Sequence, residues 1–123
     1  IHIAVRRMFE GSGDVPAQAP TVKVINLSIG DTAREFIHTP SPWARLLDWL
    51  AYRHRVLFCV SAGNYCDEID IGLNQQKFAD LSDGEKISAT VKAISNSLTS
   101  RRLLSPAEAM NAITVGAAHA DDS

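Results

Sequence analysis

The sequence predicts an α/β domain: a mostly parallel sheet with helices on both faces, three layers in all. Three observations carry that prediction. Thr21–Ile29, Val56–Val60 and Ala112–Ala117 are nearly continuous apolar runs rich in β-branched residues, the pattern of strands buried in a parallel sheet. Between them lie segments with helical periodicity, so the order is strand, helix, strand, helix, strand, which implies right-handed crossovers and parallel pairing. The composition, 46% hydrophobic and 21% charged over 123 residues, fits a single globular domain and excludes a disordered chain.

The elements follow in order. In the first ten residues, Ile1, Ile3 and Val5 alternate like a strand, whereas Ile1, Val5, Met8 and Phe9 share one helical face. The helix is favoured because Arg6, Arg7 and Glu10 then fall opposite. Residues 11–20 are rich in Gly, Pro and Ala and read as a surface loop. The strand over 21–29 is ended by Gly30-Asp31. Ser41-Pro42 then opens a helix, with Ser as N-cap and Pro at the first helical position. Trp43, Leu46, Leu47 and Leu50 form its apolar stripe, and Arg53 and Arg55 sit near its C-terminus, where the macrodipole favours cations.

The second strand, 56–60, closes on Ser61-Ala62-Gly63-Asn64, and residues 65–81 read as irregular. Ser82-Asp83-Gly84-Glu85 has the form of a capping box, and behind it Ile87, Val91, Ile94 and Leu98 repeat at helical spacing. Residues 65–102 thus hold an extra capped helical segment, expected to pack its stripe on the sheet face; shaping or covering the strand-end edge beside Asn64 is the alternative. Ser105-Pro106 marks a turn before the third strand.

Several function classes fall away. A net charge of −2, from 12 basic and 14 acidic residues, gives no electrostatic case for nucleic acid or an anionic membrane surface. No apolar run reaches the roughly 18 residues of a membrane span, and no signal peptide is legible. Cys59, inside an apolar run, reads as a small buried hydrophobe, and Cys66 as a loop residue. Two cysteines make no disulfide framework and lack further ligands for a metal. Free thiols lean toward a reducing, cytoplasmic setting.

In a parallel sheet the C-terminal strand ends lie on one edge, where ligands bind. Ser28-Ile29-Gly30, Ser61-Ala62-Gly63-Asn64 and Gly116-Ala117 should therefore gather on one rim. Their small residues let another backbone approach closely. The Asn64 carboxamide, at the end of a buried strand, suits donation to an oxyanion; capping a turn is the alternative.

Val24-Ile25-Asn26-Leu27-Ser28-Ile29-Gly30, then Val56 through Asn64, then Ser105-Pro106-Ala107 and Ala112-Ile113-Thr114-Val115-Gly116-Ala117 together resemble the subtilisin-like serine peptidases. The family pattern is V-I-N-x-S-x-G, an apolar strand ending A-G-N, a Pro-containing loop and I-x-V-G-A, and all four blocks occur here in order, within residues 22–64 and 103–118. The resemblance implies that Asn64 is the oxyanion-hole Asn. It makes Ser28, Ile29 and Gly30 one wall of the specificity pocket and a strand that pairs with extended substrate. Ser61, Ala62 and Gly63 become the opposite wall. Leu104, Ser105 and Pro106 become the floor region, where the family often has a cis-proline. It implies a peptide or protein substrate, bound by β-augmentation. It allows calcium held by backbone carbonyls but fixes no site; no other cofactor is expected.

The family's D-T/S-G, H-G-T and G-T-S motifs do not occur in these 123 residues. His2, His38, His54 and His119 are none of them followed by Gly and read as ordinary surface residues, His54 against the carbonyls of its helix end. Asp31 and Asp121 read as solvated. The resemblance therefore implies an excerpt of a serine endopeptidase domain, running from after the catalytic His helix to before the nucleophile. Alone it should be inactive, and its bare sheet faces and edges could drive self-association. Two other readings stand beside this one. A doubly wound nucleotide binder lacks its G-x-G-x-x-G fingerprint here. A non-catalytic scaffold gives no reason for Asn64.

Overall fold

The computed structural model describes residues 1–64, 68–98 and 101–117. The chain separates into two compact units, one of residues 1–64 with 103–123 and one of residues 65–102.

The first unit holds the sheet. Helix α1 (His2–Phe9) leads into the 11–20 loop, which returns along the helix through Gln18 N–H donating to Arg7 O and Ala19 N–H to Met8 O. Strand β1 (Val24–Leu27) is followed by β2 (Asp31–Glu35), α2 (Pro42–His54) and β3 (Leu57–Ser61). In the second unit come α3 (Gln75–Ala79) and α4 (Asp83–Ser97), and the first unit resumes with β4 (Leu104–Ser105) and β5 (Ala112–Val115). The main sheet has the order β1-β3-β5, all parallel, with Val24 opposite Leu57 and Phe58 opposite Ala112. The predicted α/β class and parallel sheet are therefore present. Beside them, β2 and β4 form an antiparallel pair.

Strand alternation decides the core. Phe58 and Val60 on β3 face α2 and are fully buried, and Ile25, Leu27 and Ala112 join them from the neighbouring strands. From α2 come Ala44, Leu47, Leu50 and Ala51, and from α1 Val5. Full burial of a side chain such as Phe58 contributes about 1.5–3 kcal/mol. Ser41 caps α2 by accepting from Ala44 N–H at 3.1 Å, with Pro42 at the first helical position, as its sequence predicts. Arg55, in the left-handed region at φ 53°, ends the helix and turns the chain into β3.

Several expectations change. The helical cover of the first unit lies on one sheet face. On the other, Val24, Ile113 and Val115 are 55, 50 and 56% exposed. Cys59 lies on that face and is half-buried, not the buried hydrophobe its apolar run suggests, because neighbours along a strand point to opposite faces. The first strand is only four residues long. Asp31 does not end regular structure but begins β2, whose ladder comes from pairing with β4 and not from an apolar pattern of its own. Residues 75–79, expected to be irregular, form α3, capped by Asn74 Oδ1 accepting from Lys77 N–H at 2.8 Å.

The capping box of α4 is formed: Glu85 Oε2 accepts from Ser82 N–H at 2.9 Å and from Ser82 Oγ at 2.6 Å. Its large-residue stripe is not buried, however. Ile87, Val91, Ile94 and Leu98 are exposed, and the more buried face runs through Lys86, Ala89, Thr90, Ala93 and Ser97. That face is also at helical spacing, but its small residues carry little signal in a hydrophobicity pattern.

Candidate active-site cleft

The rim of the sheet is built from three strand ends. Beyond β1, Ser28 is exposed and its Oγ accepts from Asn26 Nδ2 at 3.0 Å. At the end of β3, Ser61 Oγ accepts from Gly63 N–H at 3.2 Å, tightening the turn that leads to Asn64, which is exposed. Beyond β5 come Gly116 and Ala117. A cavity of about 350 Å³ opens here, lined by residues of all three strand ends, among them Ser28, Ser61, Gly63, Asn64, Gly116 and Ala117. The parallel arrangement puts it at the C-terminal edge, as the topology requires.

The remaining predicted residues flank this cavity or stand behind it. Ala62 is fixed from both sides, its N–H donating to Val115 O at 2.9 Å and its carbonyl accepting from Leu104 N–H at 3.1 Å. Ile29 is exposed. Gly30 approaches Gly63, so the segments predicted as opposite walls do lie together: a Cβ placed on Gly30 would stand 3.7 Å from Gly63 Cα. Ser105 and Pro106 are fully buried and joined by a cis peptide bond. Their side chains are enclosed by the fold and present no open surface.

Behind the rim, the 104–109 segment is tied to the start of α2. Ser41 Oγ and Ser105 Oγ are 2.6 Å apart, and Ser41 N–H donates to Glu108 Oε1 at 3.0 Å. Thr114 Oγ1 donates to Ala107 O, linking the same segment to β5. The rim therefore rests on hydrogen bonds from α2, β2 and β5.

Sequence reasoning missed three cavity residues, Asn26, Val60 and Val115. Asn26 had a signal: it is the one polar residue in the run Val24-Ile25-Asn26-Leu27. Val60 and Val115 had none, since nothing in an apolar strand says which end lines a cavity.

The histidines lie elsewhere. His38 is exposed in a loop, and His2 meets the Trp49 ring edge-on at 5.8 Å between centroids. His54 departs from expectation. Its side chain is only 6% exposed, stacks on Phe9 at 4.9 Å and brings Nε2 to 3.8 Å from Glu10 Oε1. Docking of α1 on α2, which a single-helix reading cannot see, encloses this ring. Glu10 is held below the usual carboxylate range, chiefly by its hydrogen bond from Arg6 and also by the charges of Arg6, His54 and Arg53. Asp31 accepts from Ala33 N–H at 3.0 Å and lies 3.7 Å from Arg34 Nε. Cys66, His119 and Asp121 lie outside the described residues. Among the described residues no three His, Cys, Asp or Glu side chains gather where they could hold a metal ion, and no helix is long and apolar enough to cross a membrane.

Compared with known protein families, residues 7–123 match the model of the subtilase family. No curated protein and no solved structure matches the chain.

Proposed function

Since the chain belongs to the subtilase family, a family of serine peptidases, we propose that it supplies the oxyanion donor and pocket walls of a serine endopeptidase. The supporting observation is the shared cavity: Ser28, Ser61, Gly63 and Asn64 converge there from two adjacent parallel strands.

An extended peptide adds to the Ser28–Gly30 segment as a further strand, its side chains read alternately. The scissile carbonyl then lies beside Asn64. As that carbon becomes tetrahedral, negative charge grows on its oxygen, and the Asn64 carboxamide N–H donates to it. The donor matters most when the charge has formed, so it acts on kcat more than on substrate affinity. Ser61, by fixing Gly63 N–H, holds the turn that presents Asn64.

The family's H-G-T, D-T/S-G and G-T-S motifs are absent from these 123 residues. The nucleophile and its base are therefore supplied from outside them, and the chain alone does not turn over peptides. The experiment is to treat the full-length protein with a fluorophosphonate and follow peptide hydrolysis. Labelling of one serine outside residues 1–123, with parallel loss of hydrolysis, is the expected result. Hydrolysis that survives the fluorophosphonate but is abolished by a chelator or a thiol reagent would contradict the assignment.

A further inference from the structure

Helix α4 turns a face of small residues inward, where Ala93 is buried, and leaves its large aliphatic residues outside. Ile87, Val91, Ile94 and Leu98 are 65, 59, 40 and 58% exposed. They follow one another at four, three and four residues, which on a helix gives a strip only about 60° wide. So narrow a strip is the seam by which one helix packs on another. A lipid surface takes a helix whose polar side is strongly basic, whereas Ser88, Thr90, Ser95 and Ser97 border this seam.

The seam is its own complement. Ile87 and Leu98 lie equally far from its centre, and so do Val91 and Ile94. Two copies related by a two-fold axis, with their helices antiparallel, therefore set Ile87 against Leu98 of the second copy and Val91 against its Ile94. The contact is isologous and closes on itself. The bordering hydroxyl residues bring no like charges together. Charge selects the same orientation. Asp83 and Glu85 open α4, and Arg101 and Arg102 follow its end. An antiparallel pair brings the acidic end of each copy to the basic end of the other, with the helix dipoles opposed. A parallel pair sets like ends together.

We propose that the exposed stripe of α4 is a homodimer interface, occupied by α4 of a second copy in antiparallel pairing. Four side chains from each copy make a contact of the small, transient class, below about 1,200 Å². Association is therefore reversible and set by concentration, and it is independent of peptide hydrolysis.

The test is sedimentation velocity of the full-length protein over a dilution series, beside Val91→Lys with Ile94→Lys. Both positions are exposed, so the double variant should keep the wild-type circular dichroism. The wild type is expected to shift from monomer to dimer as concentration rises, and the variant to stay monomeric. A wild type that is monomeric throughout, or a variant that associates equally, overturns the proposal. Orientation is read by oxidative cross-linking of Ile87→Cys and Leu98→Cys proteins, with the linked peptides identified by mass spectrometry. The mixture should give a disulfide between positions 87 and 98. Neither protein alone should link to itself, because the ends of the stripe are roughly 16 Å apart along the axis at about 1.5 Å per residue, beyond a disulfide's reach. A link from 87 to 87 would mean parallel helices and overturns the two-fold pairing. No cross-link, with Cys at 87 unreactive toward maleimide, would mean that another part of the full-length chain covers the stripe, which also overturns it.

Discussion

The hydroxyls of Ser41 and Ser105 lie 2.6 Å apart although 64 residues separate them in the chain. Ser41 is the N-cap of α2, and Ser105 is a fully buried residue beside the rim. One serine thus starts the helix that covers the sheet and anchors the segment behind the cleft. Ser41→Ala is expected to cost about 0.5–2 kcal/mol for the lost cap, and a further ~1–3 kcal/mol for the buried Ser105 hydroxyl left without its partner. Chemical denaturation of the two single variants and the double variant measures this. A coupling energy near zero between Ser41 and Ser105 would show that the contact contributes nothing of its own.

The acid response of α4 follows from Glu85. Hydrogen bonds from the Ser82 side chain and backbone hold its carboxyl below the usual range. A carboxylate whose folded pKa is depressed stabilises the fold above its unfolded pKa, and that contribution is lost as pH falls through the folded value. The start of α4 should therefore fray as pH drops below the ordinary glutamate range. Glu85→Gln should flatten that dependence. Hydrogen exchange of the first-turn amides, followed against pH, checks both. Equal acid sensitivity in wild type and variant would mean that the capping box is not the titrating element.

The exposed sheet face carries Val24, Ile113 and Val115, with Leu57 beside them. Apolar surface of this kind favours association. The isolated 123-residue chain is expected to sediment as more than a monomer at micromolar concentration, and Ile113→Lys with Val115→Lys to shift it toward monomer. Sedimentation velocity of the two proteins is the check, and a wild-type chain that stays monomeric contradicts the expectation.

The legible parts of the fold were those whose signal is local. The runs holding β1, β3 and β5 are apolar and rich in β-branched residues, and Ser41-Pro42 and Ser82–Glu85 carry their caps in the sequence itself. What escaped notice depends on partners distant in sequence. Strand β2 is Asp-Thr-Ala-Arg-Glu, with no alternation to betray it, and exists because Leu104 and Ser105 return to pair with it. His54 looked like a helix-end residue until α1 enclosed it against Phe9 and Glu10. The gathering of the strand ends around one cavity was legible, since parallel topology brings them together without detailed packing. Its interior was not: that Leu104 fills the gap between Gly30 and Gly63 depends on the returning 104–109 segment.

The most direct measurement is steady-state peptide hydrolysis by the full-length protein with Asn64→Ala. The expected result is a fall in kcat of about 10²–10³-fold, the range known from subtilisin itself, a member of the same family, with KM little changed. Unchanged turnover would remove Asn64 from the chemistry, and a rise in KM at constant kcat would make it a substrate-binding residue instead.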